Sequence, residues 1–193
     1  MKRRRFLVGA TVVIGGVGTA FTAVPFIASW QPSARARAAG APVEVDVSKL
    51  EPGEQVTVEW RGKPIWVLHR TPEMLDRLAT LTDSDRLRDP LAKVATQQPA
   101  YITGPLRSLK EVYLVVIAIC THLGCVPSFR PEPGSVGDDW PGGYFCPCHG
   151  SRFGFAGRVF KAVPAPTNLE IPPYRFLSNT RIEIGVDPEP STS

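Results

Sequence analysis

The chain has 193 residues, room for one domain of ordinary size plus an appendage. Its formal charge of +4 sits at one end: residues 1–40 hold Lys2, Arg3, Arg4, Arg5, Arg35 and Arg37 and no acidic residue, leaving a net −2 for residues 41–193. A mildly acidic folded part argues against a nucleic-acid-binding face, and 20 prolines argue for loops and β-structure over a helical bundle.

Residues 6–30 form a run of 25 without a charge. As a helix this run reaches roughly 37 Å, enough to cross a hydrocarbon core of about 30 Å with some tilt. Pro25 is tolerable inside a membrane helix, and Trp30 suits the far interface. Lys2–Arg5 stays cytoplasmic by the positive-inside rule, which puts everything after Trp30 outside the cytoplasm. Arg3-Arg4-Arg5-Phe6-Leu7 is similar to a twin-arginine export signal. Ala34-Arg35-Ala36 and Ala36-Arg37-Ala38 offer small-residue cleavage sites, but the apolar run exceeds the 7–15 residues of a signal peptide, which favours a retained anchor. Residues 31–42 have small side chains and no apolar periodicity, the composition of a flexible hinge. A junction with no role has the same composition.

Beyond the hinge the pattern changes to period two. Val43–Val47 and Gln55–Trp60 alternate apolar and polar residues, as half-buried strands do. Turns are expected at 51–53 and at Arg61-Gly-Lys-Pro64, with a third strand over Ile65–His69. Thr71-Pro72-Glu73 opens a helix, and Met74, Leu78 and Leu81 give it one buried face. Residues 83–108 are polar and irregular. Tyr113–Ile119 is a continuous apolar run, the mark of a fully buried strand. Further strands are expected at Tyr144–Cys146, Arg158–Lys161, Leu169–Ile171, Arg175–Leu177 and Arg181–Gly185. Short strands, Gly/Pro turns and one helix make the fold mainly β, an antiparallel sandwich or small barrel. Trp60, Trp66 and Trp140 read as packing residues.

The chemistry is concentrated in two short segments. All four cysteines and two of the three histidines fall in Cys120-Thr-His122-Leu-Gly-Cys125-Val-Pro and Cys146-Pro-Cys148-His149-Gly-Ser151. Each can offer a Cys and a His from one tight turn to a shared metal centre. Zinc takes two Cys and two His in a standard tetrahedral site, but that leaves Cys125 and Cys148 unexplained beside the ligands. A 2Fe-2S cluster with two Cys on one iron and two His on the other accounts for the same donors. His69 has no metal-ligand spacing around it and reads as a strand-end residue.

The pair C-T-H-L-G-C-V-P and C-P-C-H-G-S resembles the Rieske subunits of respiratory quinol–cytochrome c oxidoreductases. Arg61-Gly-Lys-Pro64, Arg70-Thr-Pro72, Trp140-Pro-Gly-Gly143 and Pro164-Ala-Pro166 with Asn168-Leu-Glu170 extend the resemblance, as does the order of charged start, apolar span, hinge and β domain. It covers nearly the whole chain and is most specific over 109–177. It implies a transmembrane and signal segment at 1–30, a hinge at 31–42 and an extracytoplasmic Rieske β-sandwich over 43–193, whose cluster-binding subdomain takes in about 118–166.

Carried over residue by residue, the resemblance implies that Cys120 and Cys146 bind the buried iron. His122 and His149 then bind the outer iron, contact quinol and take up its proton. Cys125 and Cys148 form a disulfide, free buried thiols being the alternative. Ser151 donates to a bridging sulfide, while Leu123, Gly124, Pro164, Ala165 and Pro166 form the docking tip. The chain departs from the family at Phe153, where many quinol-oxidising members carry a Tyr that bonds a ligand sulfur. It also departs at Gly154, often Asp, and at Ala118, commonly Gly. Phe153 with Ser151 retained implies a cluster potential below the upper end of the family.

The expected function is electron transfer within a dimeric membrane complex in the bacterial inner membrane. One electron passes from quinol to a cytochrome c-type haem, with a cytochrome b and a cytochrome c-type subunit as partners and the Rieske domain periplasmic. The chain is not a whole enzyme, since it lacks quinone-pocket helices and a C-x-x-C-H haem motif. A Rieske oxygenase component needs a second iron site of two His and a carboxylate, and His69 is the only spare histidine. The Rieske small subunit of another exported oxidoreductase, such as arsenite oxidase, is the alternative, disfavoured by the membrane span and the 61–99 insertion.

Overall fold

The structure, a computed structural model, describes residues 2–189. Met1 and residues 190–193, the ends of the expected first and last segments, lie outside the described residues. The chain divides into two units, Met1–Ala39 and Gly40–Ser193.

In the first unit, helix α1 runs over Lys2–Ser29, 28 residues, and continues past Pro25. None of its side chains is buried, and Phe6, Ile14, Phe21 and Phe26 lie bare around it. A helix apolar on all faces needs a lipid or protein surround. Its polar groups suit lipid: the Thr11, Thr19 and Thr22 hydroxyls donate to the carbonyls of Leu7, Gly15 and Gly18, one turn back. At 28 residues the helix extends about 42 Å, long enough to span a bilayer.

The expected hinge is not wholly irregular, because Ala34–Ala39 forms a short helix, α2. Ser33 Oγ accepts the Ala36 N–H at 3.1 Å, and the alternating Ala and Arg residues are strong helix formers, a signal that apolar periodicity does not report. Six residues fall well short of the roughly 12 that an isolated helix needs in water.

Among the described residues, the second unit is built from nine strands in three antiparallel sheets. β2 (Gln55–Trp60), β3 (Lys63–His69) and β4 (Tyr113–Ile117) form one, in that order. Arg61-Gly62 turns the β2–β3 hairpin, so the expected four-residue turn is shorter and β3 starts two residues early. All five β4 residues are buried, which explains the unbroken apolar run. β1 (Val43–Asp46), β9 (Arg181–Ile184) and β8 (Tyr174–Phe176) form the second, with β9 in the middle. β5 (Ser128–Arg130), β6 (Gly143–Phe145) and β7 (Arg152–Phe153) form the third and smallest.

Helix α3 (Pro72–Thr82) has Thr71 as its cap, whose Oγ1 accepts the Met74 N–H at 3.3 Å, and buries Met74, Leu78 and Leu81. Trp66 stacks on Tyr144 with ring centroids 4.8 Å apart. The Trp140 indole donates to the Arg130 carbonyl at 3.0 Å. His69 ends β3 with Nδ1 2.6 Å from the Leu50 carbonyl, so that nitrogen carries the proton and donates.

Two expected strands are absent. Arg158–Lys161 contributes only single bridges, Val159 to Phe153 and Phe160 to Leu87, and Leu169–Ile171 pairs with no strand. Their apolar side chains are buried, but their backbones meet strands through single bonds only, the Ile117 N–H of β4 donating to the Glu170 carbonyl and the Phe160 N–H to the Arg152 carbonyl of β7, and otherwise bond to loops: the Leu169 N–H donates to the Gly157 carbonyl and the Ile171 N–H to the Gln97 carbonyl.

The irregular 83–108 segment is held by buried cations. Arg107 is fully buried and donates to the carbonyls of Ala156, Gln97 and Leu169 and to Gln98 Oε1. Burial pushes its guanidinium down to about 9, still a cation at neutral pH. Arg70 and Arg158, also buried, likewise donate mainly to carbonyls.

Candidate metal centre

Two loops carry the chemistry. The first leaves β4 at Ala118 and enters β5; the second joins β6 to β7 across residues 146–151. They repeat one backbone device. The Gly124 N–H donates to the Cys120 carbonyl at 3.0 Å and the Cys120 N–H to the Cys125 carbonyl at 2.7 Å. In the second loop the Gly150 N–H donates to the Cys146 carbonyl at 2.9 Å and the Cys146 N–H to the Ser151 carbonyl at 2.8 Å. Each loop closes through a glycine in the left-handed region, Gly124 at φ +84° and Gly150 at φ +76°, with open space where a Cβ would stand. The φ angle, not crowding, selects glycine there.

The loops are stapled by a disulfide between Cys125 and Cys148, so the thiol alternative does not hold. Cys120 and Cys146 remain free and buried. The Cys125, Cys146 and Cys148 sulfurs lie within 4.8 Å of one another; two of them are spent in the staple, leaving Cys146 as the donor. Burial pushes the Cys120 thiol up, and the adjacent Cys146 adds to that, while contacts from His122 and Ser151 oppose it.

The His122 and His149 rings meet edge to face, centroids 4.7 Å apart. His149 is exposed and His122 half-buried. His122 Nδ1 is buried without a hydrogen-bond partner, an omission that costs about 1–3 kcal/mol unless a ligand fills it. Paired buried thiols, an orphaned imidazole nitrogen and a second imidazole alongside suit a cluster held by two Cys and two His.

Ser151 is fully buried. Its Oγ accepts the Ala165 N–H at 3.0 Å, which leaves its own proton free to donate. Around the loops, Leu123 is 71% exposed, and Gly124, Pro164 and Pro166 are exposed too. Ala165, expected on the tip surface, is fully buried, turned inward by its bond to Ser151. Phe153 is fully buried in β7 opposite Tyr144 and bridged to Val159.

Sequence reading overlooked Thr121, whose hydroxyl donates to the Thr167 carbonyl at 2.7 Å and ties the first loop to the proline segment. A hydroxyl between two ligand residues was the available signal. It also overlooked Val126, which is 51% exposed and adds apolar surface next to the staple.

A family profile described as the Rieske [2Fe-2S] domain matches residues 41–174. The chain belongs to the Rieske family. A second profile, for the TAT signal of the ubiquinol–cytochrome c reductase Fe-S subunit, matches residues 1–33. The chain is 61% identical to the ubiquinol-cytochrome c reductase iron-sulfur subunit of Allochromatium vinosum, over 96% of this chain and 89% of that one. Its counterparts in Blastochloris viridis and Bradyrhizobium diazoefficiens are 46% and 43% identical, each over 95% of this chain and 92% and 94% of theirs. The cofactor of this Rieske domain is a 2Fe-2S cluster, and the donor set of the two loops fits it.

Proposed function

We propose that this chain is the electron-transfer subunit of a membrane quinol–cytochrome c oxidoreductase, taking one electron at a time from quinol and passing it to a cytochrome c-type haem. The observation that carries the reading is the pair of matched loops, which carry two free buried thiols and two adjoining imidazoles and are joined by a disulfide staple.

Cys120 and Cys146 would hold one iron of the cluster, and His122, through the orphaned Nδ1, would hold the other with His149. When bound, the cluster supplies a one-electron acceptor whose potential is raised because two neutral imidazoles replace two thiolates. The exposed His149 ring keeps its far nitrogen free to bond quinol and hold its proton. Ser151, accepting from Ala165, keeps its own proton free to donate to a cluster sulfur and so favours the more negative, reduced state. Leu123, Gly124, Val126, Pro164 and Pro166 offer quinol's pocket an apolar, donor-poor face.

The α1 helix anchors the domain, with Lys2–Arg5 cytoplasmic and the β domain periplasmic. The 31–42 segment, α2 included, lets the head move between a cytochrome b and a cytochrome c-type subunit, in a complex that is a dimer. The test is ubiquinol-dependent cytochrome c reduction by the complex purified through a tag on this chain. Turnover should follow the cluster signal and vanish in Cys146→Ser, which lacks the cluster. A complex with an intact cluster that ubiquinol leaves oxidised contradicts the reading. For the proton, the midpoint potential should be flat at low pH and fall in alkali by up to about 59 mV per pH unit for each proton lost. A potential flat throughout contradicts the imidazole role.

A further inference from the structure

The 163–167 segment lies against both cluster loops and contains Pro164 and Pro166, which have no N–H to donate. It is fixed at three points. The Thr121 hydroxyl of the first loop donates to the Thr167 carbonyl at 2.7 Å. The Ala165 N–H donates to Ser151 Oγ of the second loop at 3.0 Å. The third point comes from the irregular segment: Arg88 Nη2 donates to the Val163 carbonyl at 2.9 Å. Arg88 is itself well seated. Its N–H donates to the Val159 carbonyl at 3.0 Å, the Lys161 N–H donates to the Arg86 carbonyl at 2.8 Å, and Leu87 bridges Phe160. Residues 86–88 thus run as a short antiparallel clasp along 159–161. From its end the Arg88 side chain reaches the carbonyl just before Pro164.

We propose that Arg88 is a positioning residue for the quinol-docking tip: by holding the Val163 carbonyl it fixes how Pro164 and Pro166 stand beside the cluster and how the Ala165 N–H meets Ser151. The proposal rests on the reading of the tip as the face that meets quinol. Two consequences follow from the hydrogen bonds. A loosened segment presents the two exposed prolines in many positions, so quinol binding carries an added ordering cost. A loosened Ala165 N–H polarises the Ser151 hydroxyl less, and its donation to a cluster sulfur weakens. Because Arg88 is exposed, its removal leaves the core intact.

The test uses the assembled complex with Arg88→Ala and Arg88→Lys. Arg88→Ala should keep full cluster content and melting temperature. Its KM for a short-chain ubiquinol should rise about fivefold, equivalent to about 1 kcal/mol at 1.4 kcal/mol per tenfold. Its midpoint potential should fall and stay lowered at high salt, since a positional change is not screened. Arg88→Lys, which keeps one donor, should recover part of both. Wild-type KM and potential in Arg88→Ala overturn the proposal. So does a potential shift that high salt abolishes with KM unchanged, which is the signature of a lost surface charge. Arg88→Gln repeats the comparison should Arg88→Ala lose its cluster. If the wild-type complex does not oxidise quinol, the functional reading fails, while the redox titrations still decide whether Arg88 acts on Ser151.

Discussion

The 120–125 and 146–151 loops share a pattern of backbone hydrogen bonds and fill it differently. Both begin with a buried cysteine and close through a left-handed glycine at the fifth position. The third position is His122 in one and Cys148 in the other, the fourth Leu123 and His149, the sixth Cys125 and Ser151. One turn therefore presents an imidazole from either of two adjacent positions. The places each loop does not need for a ligand hold half of the staple, a docking side chain or the hydroxyl that bonds sulfur. The surroundings differ as well: the first loop's histidine is half-buried with its Nδ1 enclosed, and the second loop's histidine is exposed. The backbone makes the loops equivalent as scaffolds, and the side chains divide the chemistry between them.

Removing the donor that the loops share should have the largest effect. Cys120→Ser and Cys146→Ser should each abolish the cluster, with iron and sulfide content falling to background in both. A cluster retained in either variant means that the loops do not contribute equally. Next is the staple. Cys148→Ser opens a cross-link spanning 23 residues, which by loop-closure entropy stabilises the domain by about 3 kcal/mol. Denaturant titration followed by cluster bleaching should show that loss, and a midpoint like the wild type's means that the cluster alone holds the loops together.

The glycines test equivalence directly. Gly124→Ala and Gly150→Ala face open space at similar φ, so each should cost about 1 kcal/mol, the left-handed penalty for a residue with a Cβ. Unequal losses in the same denaturation assay show that one loop is more tightly held than its hydrogen bonds indicate. The smallest effect concerns the sixth position, where only the second loop has a hydroxyl. A net hydrogen bond of about 1 kcal/mol, if mostly differential between redox states, is on the order of 40 mV for one electron. Ser151→Ala should lower the potential by that much, and Phe153→Tyr should raise it comparably by adding a donor that this chain lacks. Redox titration of the holoprotein reads both. No rise in Phe153→Tyr shows that the ring faces away from the cluster.

Much of this was legible locally. The charge-free run, the alternation of Gln55–Trp60, the Thr71 cap and the buried Tyr113–Ile117 each sit within one window of sequence, and the elements follow. The ligand motifs were legible because metal chemistry restricts residue type and spacing. What was hidden depends on distant partners. Val159 and Leu169 are apolar and buried, like strand residues, yet their backbones bond to Arg88 and Gly157. The strands Ser128–Arg130 and Arg152–Phe153 are too short to show a period. Arg107 carries a charge that usually marks a surface, but its partners are carbonyls 10 to 62 residues away. Ala165 sits in a proline-rich stretch that reads as surface, and only its bond to Ser151 turns it inward.

The central claim is that these two loops bind one cluster through two cysteines and two histidines. Pulsed electron paramagnetic resonance of the reduced holoprotein tests it most directly, with histidine nitrogens isotopically labelled. The account predicts couplings from two histidine nitrogens, one from each of His122 and His149. A cluster spectrum without nitrogen coupling, or with one nitrogen only, contradicts it.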